Sequence, residues 1–367
     1  MQLTKLQLAG WRNVADCSIE VNSPLVVVHG DNGQGKSNLL EAVHVLGTLK
    51  SFREPKTRRW IRHGAESARI AGCVQSTVGR RELTWKWTSD GRRLQMDEKQ
   101  TAVLSDWFDV FRAVVFCPED AAIVRGEPDK RRRFMDRAAF NAAPTHLRRV
   151  TEYRRVLNHK RALLSERHID PLQLDAFNES LARTAAAVVA ARVHVIEELK
   201  ESFEGMHEAI AGSGRVDMHV SISGLGRVES TDVGDLEVQL RAALASVRQD
   251  ELHRKTALVG PHRDDLVLTI DGQRARNFAS QGQARSVILG LKLAELDAAH
   301  RRGVVPVFLL DDLTSELDQG RRERLVAILT GLKGQVWVTT TDPSYLGDLT
   351  AIDHIKLRVS DGEINPD

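Results

Sequence analysis

Between residues 30 and 37 the chain reads Gly30-Asp31-Asn32-Gly33-Gln34-Gly35-Lys36-Ser37, followed by Asn38. Glycines at this spacing let successive backbone N–H groups curl round an anion, and the lysine adds a compact positive charge. The adjacent hydroxyl can ligate a divalent cation. The chemistry that needs this set is the binding of a nucleoside triphosphate, ATP with Mg²⁺, Lys36 reaching the outer phosphates and Ser37 the metal. A glycine turn that matches by chance is the competing reading, and the flanking elements weigh against it.

Two further clusters could act on the same ligand. The apolar run Val305-Pro306-Val307-Phe308-Leu309-Leu310 ends in Asp311-Asp312. In a phosphate-loop protein the first carboxylate holds Mg²⁺ together with Ser37, and the second polarises water against the terminal phosphate. Without the glycine loop upstream, the pair reads as an acidic turn at a strand end. Ser280-Gln281-Gly282-Gln283 has the Ser-x-x-Gln spacing that closes a helix N-terminus. A capped helix start with a glycine is also an anion site, so both readings stand together. The candidate ligand contacts are therefore Gly30, Asp31, Asn32, Gly33, Gln34, Gly35, Lys36, Ser37 and Asn38, with Ser280, Gly282 and Gln283; Lys36 and Asp312 are the catalytic candidates, Ser37 and Asp311 the metal ligands.

These residues need elements to hold them. Leu25-Val26-Val27-Val28 predicts a buried strand feeding the glycine loop, and Leu39, Leu40, Ala42, Val43, Leu46 and Leu49 recur at helical spacing after it. Leu6 and Leu8, then Cys17, Ile19 and Val21, alternate as two edge strands. Leu83, Trp85 and Trp87 run into Asp90-Gly91 and return through Leu94 and Met96, an antiparallel flap. From Pro128 helical signals continue to Ala211, broken at Asn141–Pro144 and Asp170-Pro171. The segment 130–161 holds Lys130, Arg131, Arg132, Arg133, Arg137, Arg148, Arg149, Arg154, Arg155, Lys160 and Arg161 against Asp136 and Glu152. That excess marks a charged face, with Arg148, Arg149, Arg154 and Arg155 as DNA-contact candidates and Val150, Tyr153, Val156, Leu157 and Leu164 on the packing stripe. A partner helix over 172–210, about thirty-five residues or roughly 50 Å long, pairs with it as a short antiparallel arm. A second basic stretch, Lys50, Arg53, Lys56, Arg58, Arg59 and Arg62, reads equally as a solvated face or as a phosphate contact. Strands at 216–222 and 266–270, the latter turning at Asp271-Gly272, a helix after Ser280 and a last strand at 336–341 complete the pattern. The predicted organisation is a head at 1–112, an inserted helical arm at 113–250 and a second head segment at 251–367.

Composition adds exclusions. The 367 residues carry 52 Lys+Arg against 50 Asp+Glu, a formal charge of +2, so nucleic-acid affinity must come from local clustering. Cys17, Cys73 and Cys117 have no metal-ligand spacing and suit a reducing cytosol. The N-terminus lacks an apolar core, and the most apolar long stretch, Ala185 to Ile196, is short and broken by Arg192. A soluble, cytoplasmic protein with no membrane association is expected.

The glycine loop, the Ser280 helix start, Asp311-Asp312 and the turn Thr314-Ser315-Glu316-Leu317-Asp318, in that order, resemble the head of ABC-type ATPases. The inserted arm and Asn38 narrow the resemblance to the branch that includes chromosome-maintenance ATPases. Phe116-Cys117-Pro118-Glu119-Asp120, Arg131-Arg132-Arg133-Phe134-Met135-Asp136, Gly260-Pro261-His262-Arg263-Asp264-Asp265 and Leu310-Asp311-Asp312-Leu313 closely resemble the RecF family of bacterial recombination and gap-repair proteins, along the full length. The resemblance implies an α/β phosphate-loop head with an antiparallel flap and a mainly helical insertion. It further implies ATP held between two heads of a dimer, association with double-stranded and single-stranded DNA at gaps, slow ATP hydrolysis, and work with RecR and RecO to load RecA. Two departures from transporter ATPases stand out: the signature begins Ala279-Ser280-Gln281-Gly282 rather than Leu-Ser-Gly-Gly, and Thr340 and Thr341 stand where many carry a switch histidine. The residues assign no role to Gly260–Asp265. The competing classes are a transporter-type ATPase subunit, against which the arginine-rich segment argues, and a chromosome-organising clamp, which needs a far longer coiled coil.

Overall fold

The computed structural model describes residues 1–77, 79–101, 103–312, 318–350 and 352–367. They form two compact units, one of Met1–Asp120 with Ala299–Asp367, the other of Ala121–Ala298.

In the first unit the chain runs β1 (Gln2–Ala9), β2 (Cys17–Glu20), β3 (Leu25–His29), α1 (Lys36–Thr48), β4 (Ala68–Ser76), β5 (Gly79–Thr88), β6 (Gly91–Met96), β7 (Lys99–Gln100), α2 (Leu104–Val110) and β8 (Ala113–Phe116). The second unit holds α3 (Ala121–Arg125), α4 (Pro128–Ala142), α5 (His146–Ser165), α6 (Pro171–Ala211), β9 (Val216–Ile222), β10 (Gly226–Arg227), α7 (Val233–Ser246), α8 (Arg248–Arg254), β11 (Asp265–Ile270), β12 (Gln273–Arg274) and α9 (Ala275–Phe278). Helix α10 (Gln281–Arg301) leads back to the first unit, which closes with β13 (Val307–Leu310), α11 (Gln319–Gly331), β14 (Val336–Thr340), β15 (His354–Ser360) and β16 (Glu363–Pro366).

Two sheets build the first unit. One has the order β16-β15-β3-β14-β13-β8, with every pair parallel except the β15–β16 hairpin. Its middle strands read as unbroken apolar runs, as sheets covered on both faces require: Val26, Val27 and Val28 are fully buried, as are Leu309 and Leu310. The other sheet is antiparallel, β2-β1-β4-β5-β6-β7, and contains the flap hairpin with Trp85 opposite Leu94. Helix α1 packs on β8 and β14 of one sheet and on β4 and β5 of the other, which is why Leu39, Leu40, Ala42, Val43, Val45 and Leu46 are buried all round it. Trp11, Trp60 and Trp85 meet edge-on or tilted at 5.5–6.0 Å under the antiparallel sheet. A buried amide ties strand ends together: Gln335 Nε2 donates to the carbonyls of Leu3, Val21 and Ser23, while its Oε1 accepts from Leu3 N and Trp337 Nε1.

In the second unit α5 lies along α6, and α6 also packs on α7 and β9. Asp170 caps α6, its side chain accepting from Leu172 N with Pro171 at the first helical position. This helix has 41 residues, one more at each end than the 172–210 expected, and stops at the left-handed Gly212. The four-stranded sheet runs β10-β9-β11-β12, and β11 pairs with β9 from Asp265 against Ser221 to Ile270 against Val216. That pairing draws residues 251–298 into the inserted unit. The compact units thus divide at 120/121 and 298/299, where the sequence reading drew boundaries at 112/113 and 250/251.

Ion pairs lock this unit. Arg131 grips Asp265 with two nitrogens, at 2.5 and 3.0 Å. Lys160 and Glu251, both fully buried, meet at 2.6 Å. Arg192 donates to Asp136 at 2.8 Å, to Asp264 at 3.1 Å and to the Pro261 carbonyl at 2.7 Å. Not every base of the run 130–161 lies on the charged face: Arg131 and Lys160 are buried against Asp265 and Glu251, and Arg132 donates to the Asp264 carbonyl.

Candidate nucleotide site

The glycine loop leaves β3 at His29 and enters α1 at Lys36. Its path forbids side chains at two points. Gly30 has φ 141°, and a Cβ there would lie 2.2 Å from the Val359 carbonyl of β15; at Gly35, φ 120°, it would meet Asn13 Oδ1 at 3.2 Å. The C-terminal hairpin pins the same loop, since Gly362 N donates to the Gln34 carbonyl at 3.1 Å and Asp361 N to Gln34 Oε1. Asp31, Asn32 and Gly33 form the exposed tip.

Behind the loop Lys36 is buried and its Nζ donates to the carbonyls of Gly30 at 2.6 Å and Asp31 at 2.8 Å. Burial holds its ammonium below the usual lysine range, against the opposing charges of Asp312, Asp311 and Asp31. Ser37 Oγ donates to Asp311 Oδ1 at 2.8 Å, and Thr339 Oγ1 donates to the same oxygen at 2.9 Å. Burial nevertheless raises the Asp311 pKa, outweighing those two hydrogen bonds. Asp312 follows with a left-handed φ of 56°, its N–H donating to Thr339 Oγ1 at 2.7 Å. Asn38 Nδ2 donates at 2.6 Å to Asn13 Oδ1, the oxygen that faces Gly35, and Asn38 Oδ1 accepts from Arg53 Nη1 at 2.9 Å.

The donor set fits Mg²⁺. Ser37 Oγ and Asp311 Oδ1 are hard oxygens that already converge, and a cation between them would compensate a carboxylate that burial otherwise disfavours. Two protein ligands suffice for an ion that keeps waters and takes phosphate oxygens.

Of the sequence-predicted residues, Gly30 to Asn38, Asp311 and Asp312 lie together in the first unit. Ser280, Gly282 and Gln283 belong to the second. There Ser280 and Gln283 form the reciprocal cap, Ser280 N donating to Gln283 Oε1 at 2.8 Å and Gln283 N to Ser280 Oγ at 3.2 Å. Arg148, Arg149, Arg154 and Arg155 are all exposed on α5, Arg148 with a 3.9 Å pairing to Glu152. The turn residues Thr314, Ser315, Glu316 and Leu317 lie outside the described residues; Asp318 caps α11, accepting from Arg321 N.

Sequence reasoning missed Thr339, Asn13 and the Asp361-Gly362 turn. Three hydroxyls stand in a row at 339–341, and only the register of Leu310 with Val338 places Thr339 level with Asp311. Thr340 instead closes a local turn with Asp342. For Asn13 the sequence holds no signal.

Comparison with known proteins accords with this arrangement. The family described as RecF/RecN/SMC N terminal domain matches residues 2–361. The "DNA replication and repair protein RecF" of Geobacter sulfurreducens is 36% identical over 369 residues, covering 100% of both chains. The chain belongs to the RecF family. Its similarity to RecF of Myxococcus xanthus is 35%, over 99% of this chain and 97% of that one. A solved structure described as the recombination mediator protein RecF-ATP in the RecFOR pathway superposes with a TM-score of 0.88 at 27% identity, covering 100% of this chain and 97% of that one. An Smc head bound to the C-winged helix domain of ScpA shares the fold, with a TM-score of 0.57 at 14% identity over 100% and 97% of the two chains. The fold of this RecF-family chain is thus the α/β ABC-type ATPase head with a helical insertion.

Proposed function

We propose that this RecF-family chain is an ATP-dependent, DNA-binding recombination mediator that acts at gaps between single- and double-stranded DNA. The observation that carries the reading is the convergence of Lys36, Ser37, Asp311, Asp312 and Thr339 behind a glycine loop. The loop N–H groups and the start of α1 receive the phosphates, and Lys36 exchanges its loop carbonyls for outer-phosphate oxygens. Ser37 and Asp311 would hold Mg²⁺, which would supply charge neutralisation for the transferring phosphate. Asp312 positions and polarises the attacking water. Hydrolysis is slow, because Thr339 is committed to Asp311 and Thr340 to its own turn, leaving neither as a γ-phosphate sensor.

The Ser280 helix start serves a second copy, so ATP closes a homodimer and hydrolysis releases it. Arg148, Arg149, Arg154 and Arg155 supply phosphate contacts to DNA. RecR and RecO are the partners, and RecA the recombinase delivered. The setting is cytoplasmic; no helix among the described residues is long and apolar enough to cross a membrane.

Gel-shift titration on gapped duplex, with and without ATP, tests this reading. Binding that ATP strengthens is expected; equal binding in its absence would refute ATP control.

A further inference from the structure

Within the inserted unit a half-open recess of about 280 Å³ lies among α4, α5, α6 and the Pro261-His262 turn. Its lining mixes apolar and aromatic side chains with charged ones. Tyr153 OH and His262 Nδ1 meet at 2.5 Å with their rings stacked, and Val150, Leu157 and Val188 surround them. Among the charged side chains, Arg192 is engaged by Asp136, Asp264 and the Pro261 carbonyl.

The rim is different. Arg154 and Arg161, two turns apart on α5, line the recess and have no ion-pair partner among the described residues. Arg133 of α4 joins them, its one pairing the exposed contact with Asp129 at 3.2 Å. Arg132, in the wall, has its pKa lowered by burial and by the nearby Arg192 charge, and His262 is pushed down to about 4 by burial with Arg161, Arg263 and Lys160 adding to the effect. Burial is the main cause of both shifts, and the acids that line the recess are Asp129, paired with Arg133, and Asp136, paired with Arg192. A flat basic stripe suits a duplex backbone. A concave basic rim over the stacked Tyr153 and His262 rings, at the small end of ligand pockets, suits one phosphoryl group with a planar ring attached.

We propose that this recess is a second nucleotide site, distinct from the glycine loop, which holds a single nucleotide with its phosphate at Arg133, Arg154 and Arg161 and its base against His262, whose ring the buried Tyr153 hydroxyl holds in place. The same chemistry is offered by a free mononucleotide and by an unpaired nucleotide of a strand.

The test uses the full chain and thymidine 5′-monophosphate, followed by calorimetry and ligand-observed NMR. Wild type should bind it saturably and more tightly than thymidine or inorganic phosphate. Arg133→Gln/Arg161→Gln should weaken binding about tenfold or more, since two charge-assisted contacts are lost; both side chains are exposed, so the fold is not at stake. Lys36→Ala should leave this binding unchanged, which separates the site from the glycine loop and lets either proposal fail alone. Oligothymidylate that displaces the mononucleotide identifies a strand as the source, and oligothymidylate that does not identifies the free nucleotide. Binding no tighter than that of inorganic phosphate, or unaffected by the double substitution, would overturn the proposal.

Discussion

Asp264 and His262 should give the inserted unit two opposed pH dependences that nearly cancel. Arg192 lies between Asp136 and Asp264, and one guanidinium cannot compensate two carboxylates. Asp136, which also has His146 beside it, is held well below the ordinary range. Asp264, fully buried, is raised from 3.8 to about 6 chiefly by burial. His262 moves the other way, from 6.5 to about 4, because burial disfavours its cation. Between pH 3.8 and about 6 the native state binds the extra proton on Asp264, so stability falls as pH rises; roughly two pH units at about 1.4 kcal/mol each make about 3 kcal/mol. Between pH of about 4 and 6.5 the unfolded chain binds the extra proton on His262, so stability rises with pH by about the same amount. Wild type should therefore be nearly flat across the shared window. His262→Gln should expose the falling limb and Asp264→Asn the rising one, each by about 3 kcal/mol. Urea unfolding followed by far-UV circular dichroism reads mainly the inserted unit, which holds most of the helix, while the six tryptophans, Trp11, Trp60, Trp85, Trp87, Trp107 and Trp337, all lie in the other unit and report on it alone. Parallel stability–pH curves for wild type and both variants would refute the charge assignment.

Lys36→Ala should weaken ATP binding about tenfold or more by loss of a charge-assisted contact, with unchanged affinity in equilibrium dialysis refuting its role. Asp312→Asn should keep ATP and Mg²⁺ but slow turnover about a hundredfold or more, as loss of a general base does, whereas Asp311→Asn should weaken Mg²⁺-dependent binding itself; equal turnover in wild type and Asp312→Asn would exclude the water-positioning role. Lys160→Met leaves Glu251 buried without its cation and should cost about 3–5 kcal/mol, much of it recovered in Lys160→Met/Glu251→Gln, where the amide still accepts from Leu258 N; urea midpoints that do not differ between single and double variants would contradict this. Ser280→Arg should leave ATP affinity near normal and abolish ATP-induced dimerisation, and sedimentation like wild type would reduce the motif to a helix cap.

The parts of the fold legible in the sequence were those whose cause is local. The glycine loop, the helix it opens and the carboxylates after Leu310 are each specified within about ten residues by spacing and period. So were the flap and the helical hairpin. What escaped was fixed by partners distant in sequence. No feature of 265–270 says that it pairs with 216–222 rather than with the head sheets, and that single pairing moves the unit boundary. Counting arginines also could not tell an outward charge from an inward one, because the deciding acids lie up to 134 residues away, as Asp265 does from Arg131. Thr339 was hidden among equivalent neighbours until register chose it.

The stretch Gly260–Asp265, to which sequence reasoning assigned nothing, explains how the basic run 130–161 sits in a stably folded unit. Within six residues it supplies the counter-charges of Arg192 and Arg131, a carbonyl for Arg132 and another for Arg192, and the imidazole that meets Tyr153. A buried arginine without such partners would cost several kcal/mol. Each one drawn inward from α4 and α6 is matched here, so the helices pack while the α5 arginines stay exposed, Arg148 beside Glu152. Separating inward from outward charge in this way lets a chain with a formal charge of only +2 present a concentrated positive face, because attraction for phosphates depends on local field rather than on the total.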